Sequence, residues 1–154
     1  MKNIKILWTM IILLLALSGF LINKFISGNV EPYEDGRTSV VLTKDERNLI
    51  LDEMREFLIS VQGVSQAITE NDMVKVAELA HKAGMAAEEN TPGVLLQKIP
   101  LGMKTLGFGT REKFDDIAET ARTKKDAVVA RKQLDALMHN CIACHATYRL
   151  PEPG

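Results

Sequence analysis

The sequence predicts an all-α protein, an antiparallel four-helix bundle preceded by an N-terminal hydrophobic helix. Three observations predict it. Apolar residues recur at helical spacing through most of residues 44–148. Alanine and leucine are plentiful while aromatics make up only 5% of the chain, a composition that leans helical. No stretch carries a convincing strand pattern, and no internal repeat is present. At 154 residues the chain has room for one substantial core.

The first element is the apolar run Ile6 to Ile22. Lys2 and Lys5 precede it and Lys24 comes after it. As a helix these residues span roughly 25 Å, the short end of what crosses a bilayer. The run is long for the apolar part of a signal peptide, and Ile26-Ser27-Gly28 is a poor cleavage site. An uncleaved anchor at residues 1–24 is therefore expected in preference to a cleaved signal. The lysines before the run stay on the cytoplasmic side, and Glu31, Glu34 and Asp35 lie beyond it. The remainder then faces outward, on the periplasmic side of an inner membrane if the source is bacterial.

Residues 25–42, with Gly28, Pro32 and Gly36, read as a linker, leaving 43–150 as the bundle. Thr43 and Glu46 make the capping-box pattern. Behind it Ile50, Met54, Phe57, Leu58, Val61, Val64 and Ile68 mark a first bundle helix from 44 to about 70. Asn71 or Asp72 can cap a second, roughly 73–88, with Met73, Val76, Ala77, Ala80, Gly84 and Ala87 inward. Pro92, Pro100 and four glycines make residues 89–110 a long connection, with at most a turn of helix near Val94–Lys98. A third helix is expected after Thr110, with Phe114, Ile117, Ala118 and Ala121 on one face. Asp126 can cap the fourth, whose stripe is Ala127, Ala130, Leu134, Leu137, Cys141, Cys144 and Tyr148. Four such helices suggest an antiparallel bundle.

Charge narrows the function. The formal net charge is -1. Three of the 19 basic residues and none of the 20 acidic ones lie in the first 24 positions. The rest of the chain is acidic by about four charges, which argues against nucleic-acid binding. No nucleophile–base arrangement, phosphate loop or paired catalytic carboxylates is visible, so no enzyme is expected.

The two cysteines, Cys141 and Cys144, are three apart. A disulfide there would close a tiny loop and stabilise little. With His145 they complete Cys-x-x-Cys-His, the attachment signature of c-type haem. Two thiols add across two vinyl groups, and the next residue offers its imidazole to the iron. On a helix, positions 141 and 145 share a face one turn apart. A thioredoxin-like pair belongs near a helix start after a strand, not near the end of a helix. A structural zinc site needs four ligands, and His81 and His139 stand at no familiar zinc spacing.

The stretch CIACHATYR at 141–149, ending a fourth helix, resembles the class II c-type cytochromes, the cytochrome c-prime family. The likeness is specific at 141–149 and only a matter of pattern over 43–150. It implies a four-helix bundle with one covalent haem c near one end. Cys141 and Cys144 would be the thioether residues, His145 the proximal ligand and Arg149 a partner for a haem propionate. It also implies that dimers can form. The hydrophobic N-terminus departs from the family's usual cleaved signal.

The sixth iron position decides the function. A thioether opposite histidine suits electron transfer, whereas an open position suits NO or CO. In an up-down-up-down bundle the start of the first helix lies beside the end of the last. Met54 is on the inward stripe there, roughly 16 Å from the Thr43 cap along the axis, so the first helix must overhang. The segment Leu51-Asp-Glu-Met54-Arg-Glu also resembles the family's methionine-ligated branch. Met103 is the runner-up; Met73, Met85, Met138 and His81 are poorer candidates. The expected function is one-electron transfer between redox partner proteins in or near the membrane, with His145 and Met54 as metal ligands. The alternatives are a five-coordinate gas-binding haem protein and a subunit of a larger membrane complex.

Overall fold

The computed structural model describes residues 2–152. Helix α1, Lys2–Ser27, leads into a hairpin of β1, Val30–Pro32, and β2, Thr38–Val40. Helices α2, Lys44–Thr69, and α3, Met73–Lys82, come next, then a 3-10 turn at Met85–Asn90 and a short α4, Gly93–Lys98. Helices α5, Leu101–Thr123, and α6, Ala127–Thr147, complete the bundle, and β3, Tyr148–Arg149, closes the chain.

The bundle is made of α2, α3, α5 and α6. Helix α2 packs on α3 and α6, and α5 packs on the same two. Two tight reversals set the antiparallel order. Each passes through a left-handed residue, Asn71 (φ 56°) and Lys125 (φ 49°). An aspartate cap comes directly after each. Asp72 accepts from the Lys75 amide, and Asp126 from those of Val128 and Val129. The capping box before α2 is formed in both directions. The inward stripes meet in a core of Val64, Ile68, Val76, Phe114, Ile117, Leu134 and Leu137 with small alanines between them. Leu58 departs from its stripe and is 70% exposed.

Three expectations need correction. The 25–42 stretch is not a plain linker. Its hairpin pairs antiparallel within itself, and β2 pairs parallel with β3, Thr38 opposite Tyr148 and Ser39 opposite Arg149. Three-residue strands are too short to show alternation, and the third joins the local hairpin only because residues 148–149 return beside β2. Val40 is fully buried there.

Second, the third bundle helix begins at Leu101, ten residues before its expected start. Glycine in a helix costs about 1 kcal/mol relative to alanine, and this segment holds three. Tertiary packing offsets that cost. Met103, Lys104, Thr110 and Arg111 are buried on the helix. At Gly102 a methyl would collide with the Tyr148 hydroxyl. Third, the second bundle helix stops at Lys82, and a 3-10 turn replaces its predicted end. Ala87 is exposed.

These changes create a second core of Val40, Leu42, Ile50, Leu95, Ile99 and Met103. Met54 of α2 and Cys144 and Tyr148 at the end of α6 pack against it.

Helix α1 has an apolar stretch, Ile4–Ser27, long enough to cross a membrane or to serve as a signal sequence, and none of it is buried. Its end is locked to the bundle. The buried Lys104 ammonium donates to the Phe25 carbonyl at 2.7 Å and lies 3.5 Å from the Phe25 ring centroid. Gly28, at φ +67°, packs so closely that a Cβ would stand 2.5 Å from the Lys98 carbonyl oxygen. The Asn29 amide donates to that same oxygen at 2.7 Å.

Candidate functional site

A cavity of about 530 Å³ opens between α2, α5 and α6, and four of the five predicted site residues, all but Arg149, lie on its wall. Helix α6 supplies Cys141, Cys144 and His145, and α2 supplies Met54. The rest is mostly apolar: Leu51, Phe57, Leu58 and Val61 from α2, and Leu106 and Gly107 from α5. Leu51, Met54, Leu58 and Val61 are three or four residues apart, so one face of α2 forms a wall. Gly107 faces open space, with no atom within 4 Å of where its Cβ would stand.

The thiols are free and half-buried, and His145 is exposed at the rim. Burial pushes both thiols above the ordinary cysteine range, and at Cys144 the neighbouring Cys141 adds to the effect. At neutral pH both are therefore protonated, unlike the low-pKa thiolates of redox-active pairs. Among the described residues no group of three or more His, Cys, Asp or Glu is placed to hold a bare metal ion.

The wall at Phe57 is held from behind. Phe57 stacks on Phe114 with centroids 5.9 Å apart, and the Arg111 guanidinium lies 4.8 Å from its ring centroid. Arg111 is 5% exposed. Its Nε is 2.6 Å from Glu88 Oε2, and its Nη2 is 3.5 Å from Glu53 Oε1. Burial raises the Glu53 pKa although Arg111 pulls it down. A buried cation with two carboxylates fixes this side of the cavity, because either partner alone would be costly to bury.

A second cavity, about 310 Å³, adjoins the first and shares Leu51, Met54, Cys144 and His145 with it. Arg37, Met103, Tyr148 and Arg149 complete much of its wall. Met103 borders this cavity but not the one that holds both cysteines. Met138 borders the larger cavity from α6, the helix that carries His145, and so cannot oppose it. Met73 is buried in the main core, and Met85 is exposed. His81 lies away from both cavities, its Nδ1 3.6 Å from Asp115. Arg149 borders the second cavity, with its guanidinium 3.5 Å from the Tyr33 ring centroid.

Arg37, Leu106, Gly107 and the Arg111 cluster were not expected from the sequence. The helical register running back from Thr110 could have found Leu106 and Gly107. Arg37 reaches the site only through the β2–β3 pairing, which no local pattern announces.

No known protein family matches the chain, and comparison with curated proteins and with solved structures finds no match. The site is therefore read from its own chemistry: two adjacent protonated thiols, an imidazole and a facing thioether around one apolar slot.

Proposed function

We propose that the chain is a monohaem c-type cytochrome that carries single electrons between redox proteins in or near a membrane. Cys141 and Cys144 would hold one haem c through thioethers, and His145 and Met54 would be its iron ligands. One observation carries this reading: all four side chains border a single, largely apolar cavity of about 530 Å³. That volume falls within the usual range for small-molecule and cofactor sites. The likeness of residues 141–149 to class II c-type cytochromes points the same way.

The bound haem supplies the Fe(II)/Fe(III) couple. The chain's own residues do the rest. Cys141 and Cys144, kept neutral by burial, would be the thiols joined to the vinyl groups of the haem. Phe57 and Val61, partly buried against the main core, would shield the iron position from water and lower the dielectric there. A thioether supplied by Met54 would favour the reduced state of that couple.

We place the bundle on the periplasmic side of the inner membrane, held by α1. The N-terminal lysines support that orientation. The Lys104 joint supports retention of α1, since cleavage near Ser27 would strip the Phe25 carbonyl from a buried ammonium.

The optical spectrum of the purified, haem-loaded protein is the test. Narrow low-spin bands in the reduced form, with little response to CO, are expected. Met54→Ala should convert them to a broad high-spin spectrum with fast CO binding. A wild-type protein that is already high-spin and binds CO quickly would replace the electron-carrier reading with NO or CO binding. A protein that matures without covalent haem would overturn both.

A further inference from the structure

The two adjoining cavities differ in charge. In the larger, the cation on the wall is Arg55, which is exposed and paired with Asp52. The smaller is bordered by two, Arg37 and Arg149. They come from opposite ends of the chain, and the parallel β2–β3 pairing brings them together. Arg149 stacks on Tyr33 of the hairpin, and Arg37 pairs with Asp35 at 2.7 Å. Hydrogen bonds from Arg37 hold the Asp35 carboxyl below its ordinary range, so it stays ionised. The cluster therefore carries two positive charges against one negative, beside a space of about 310 Å³.

The resemblance already assigns Arg149 to a haem propionate; we infer that Arg37 joins it at the carboxylate-binding end of the haem site, and that the N-terminal hairpin is thereby part of that site. The inference rests on the haem reading above. Haem is an amphipathic disk, with two vinyl groups toward one side and two propionates on the opposite edge. The cysteines fix the vinyl side. Of the two cavities, Cys141 borders only the larger, apolar one, and Cys144 stands on the wall the two share. The propionate edge, across the ring, would then face Arg37 and Arg149 on the wall of the smaller cavity. Carboxylates leaving water need charge-assisted hydrogen bonds, and the planar guanidinium fork supplies two at once. Asp35 competes for Arg37, which leaves Arg149 as the less encumbered partner and Arg37 as the one that carries the hairpin. Removing either cation should favour Fe(III).

The test uses the full-length, haem-loaded protein in detergent. Reduction potential and resonance Raman propionate-bending bands are measured for wild type, Arg37→Gln, Arg149→Gln and Arg37→Lys, with the exposed Arg131→Gln as control. Each glutamine variant should shift the reduction equilibrium three- to tenfold toward Fe(III), about 30–60 mV for a one-electron couple, and should move a bending band. Arg37→Lys should keep the potential within twofold of wild type yet still move the band, because the charge remains and the fork is lost. Arg131→Gln should change neither. Unchanged potential and bands in Arg37→Gln, with covalent haem and low-spin spectrum intact, would overturn the role of the hairpin and leave the haem reading standing. If Arg37→Gln fails to fold, an unmoved band in Arg37→Lys overturns it equally. A wild-type chain without covalent haem would instead remove the reading on which the inference depends.

Discussion

Replacing Gly107 with leucine should have opposite effects on the haem-free and haem-loaded chains. Gly107 sits inside α5 with open space at its Cβ position, on the wall of the large cavity. In a helix interior, glycine costs about 0.8–1 kcal/mol relative to a good helix former. A leucine side chain half-covered by the cavity walls adds about 1 kcal/mol of burial. Gly107→Leu should therefore stabilise the haem-free chain by roughly 1.5–2 kcal/mol, about 3–8 °C in Tm for a chain of this size. With haem present the same side chain stands in the slot, and overpacking costs about 1–3 kcal/mol. Haem-free protein is obtained by Cys141→Ser with Cys144→Ser, and its melting is followed by circular dichroism with and without Gly107→Leu. Haem yield and the reduced spectrum are measured with the cysteines intact. Normal yield and an unaltered spectrum in Gly107→Leu would refute the assignment of the slot. A lower haem-free Tm would refute the claim that the space is free.

Two further outcomes are expected at the joints around the site. Gly28→Ala forces a left-handed backbone on a residue with Cβ and pushes it into the 98–100 backbone. It should cost about 2–4 kcal/mol locally, seen as faster proteolysis within 28–42; an unchanged cleavage rate would show that the joint is loose. Glu46 is held below the ordinary carboxylate range, first by Lys98 at 2.7 Å and then by the Thr43 amide. A depressed folded pKa stabilises above the unfolded value, and that contribution is lost as pH falls through the folded one. Glu46→Gln should therefore cost about 0.5–1.5 kcal/mol at pH 7 and flatten the acid limb of the stability curve; parallel curves for the two proteins would refute it.

Much of the bundle was legible because its signals are local. Thr43 and Glu46, Asp72, and Asp126 mark helix starts through hydrogen bonds made within a few residues. The stripes on α2 and α6 put Met54, Cys141 and Cys144 on inward faces, and the structure sets them around one cavity with His145 at its rim. What the sequence hid depends on distant partners. Gly102, Gly107 and Gly109 read as helix breakers because the compensating contacts, Tyr148 and two packed cores, lie elsewhere in the chain. Val40, and Arg37 just before the same strand, looked like linker residues because β2 is three residues long and gains its second neighbour only from Tyr148 and Arg149. Leu58 fits the stripe by spacing, but the stripe opens onto a cavity at that point and the residue remains exposed.

The joint at Phe25, Gly28 and Lys104 bears on how the bundle is aimed. A flexible tether over residues 25–42 would let the bundle roam over roughly 23 Å and turn freely. The ammonium clasp and the close backbone packing remove that swivel, so the bundle turns only as α1 turns. In a membrane, the roll and tilt of α1 then decide which way the mouth of the cavity points. Side chains deep in the apolar helix, such as Trp8 and Phe20, become steering elements for a site they never touch. On the proposed function, a redox partner would have to meet that face from one side of the membrane plane, because the face could not swing round to meet it.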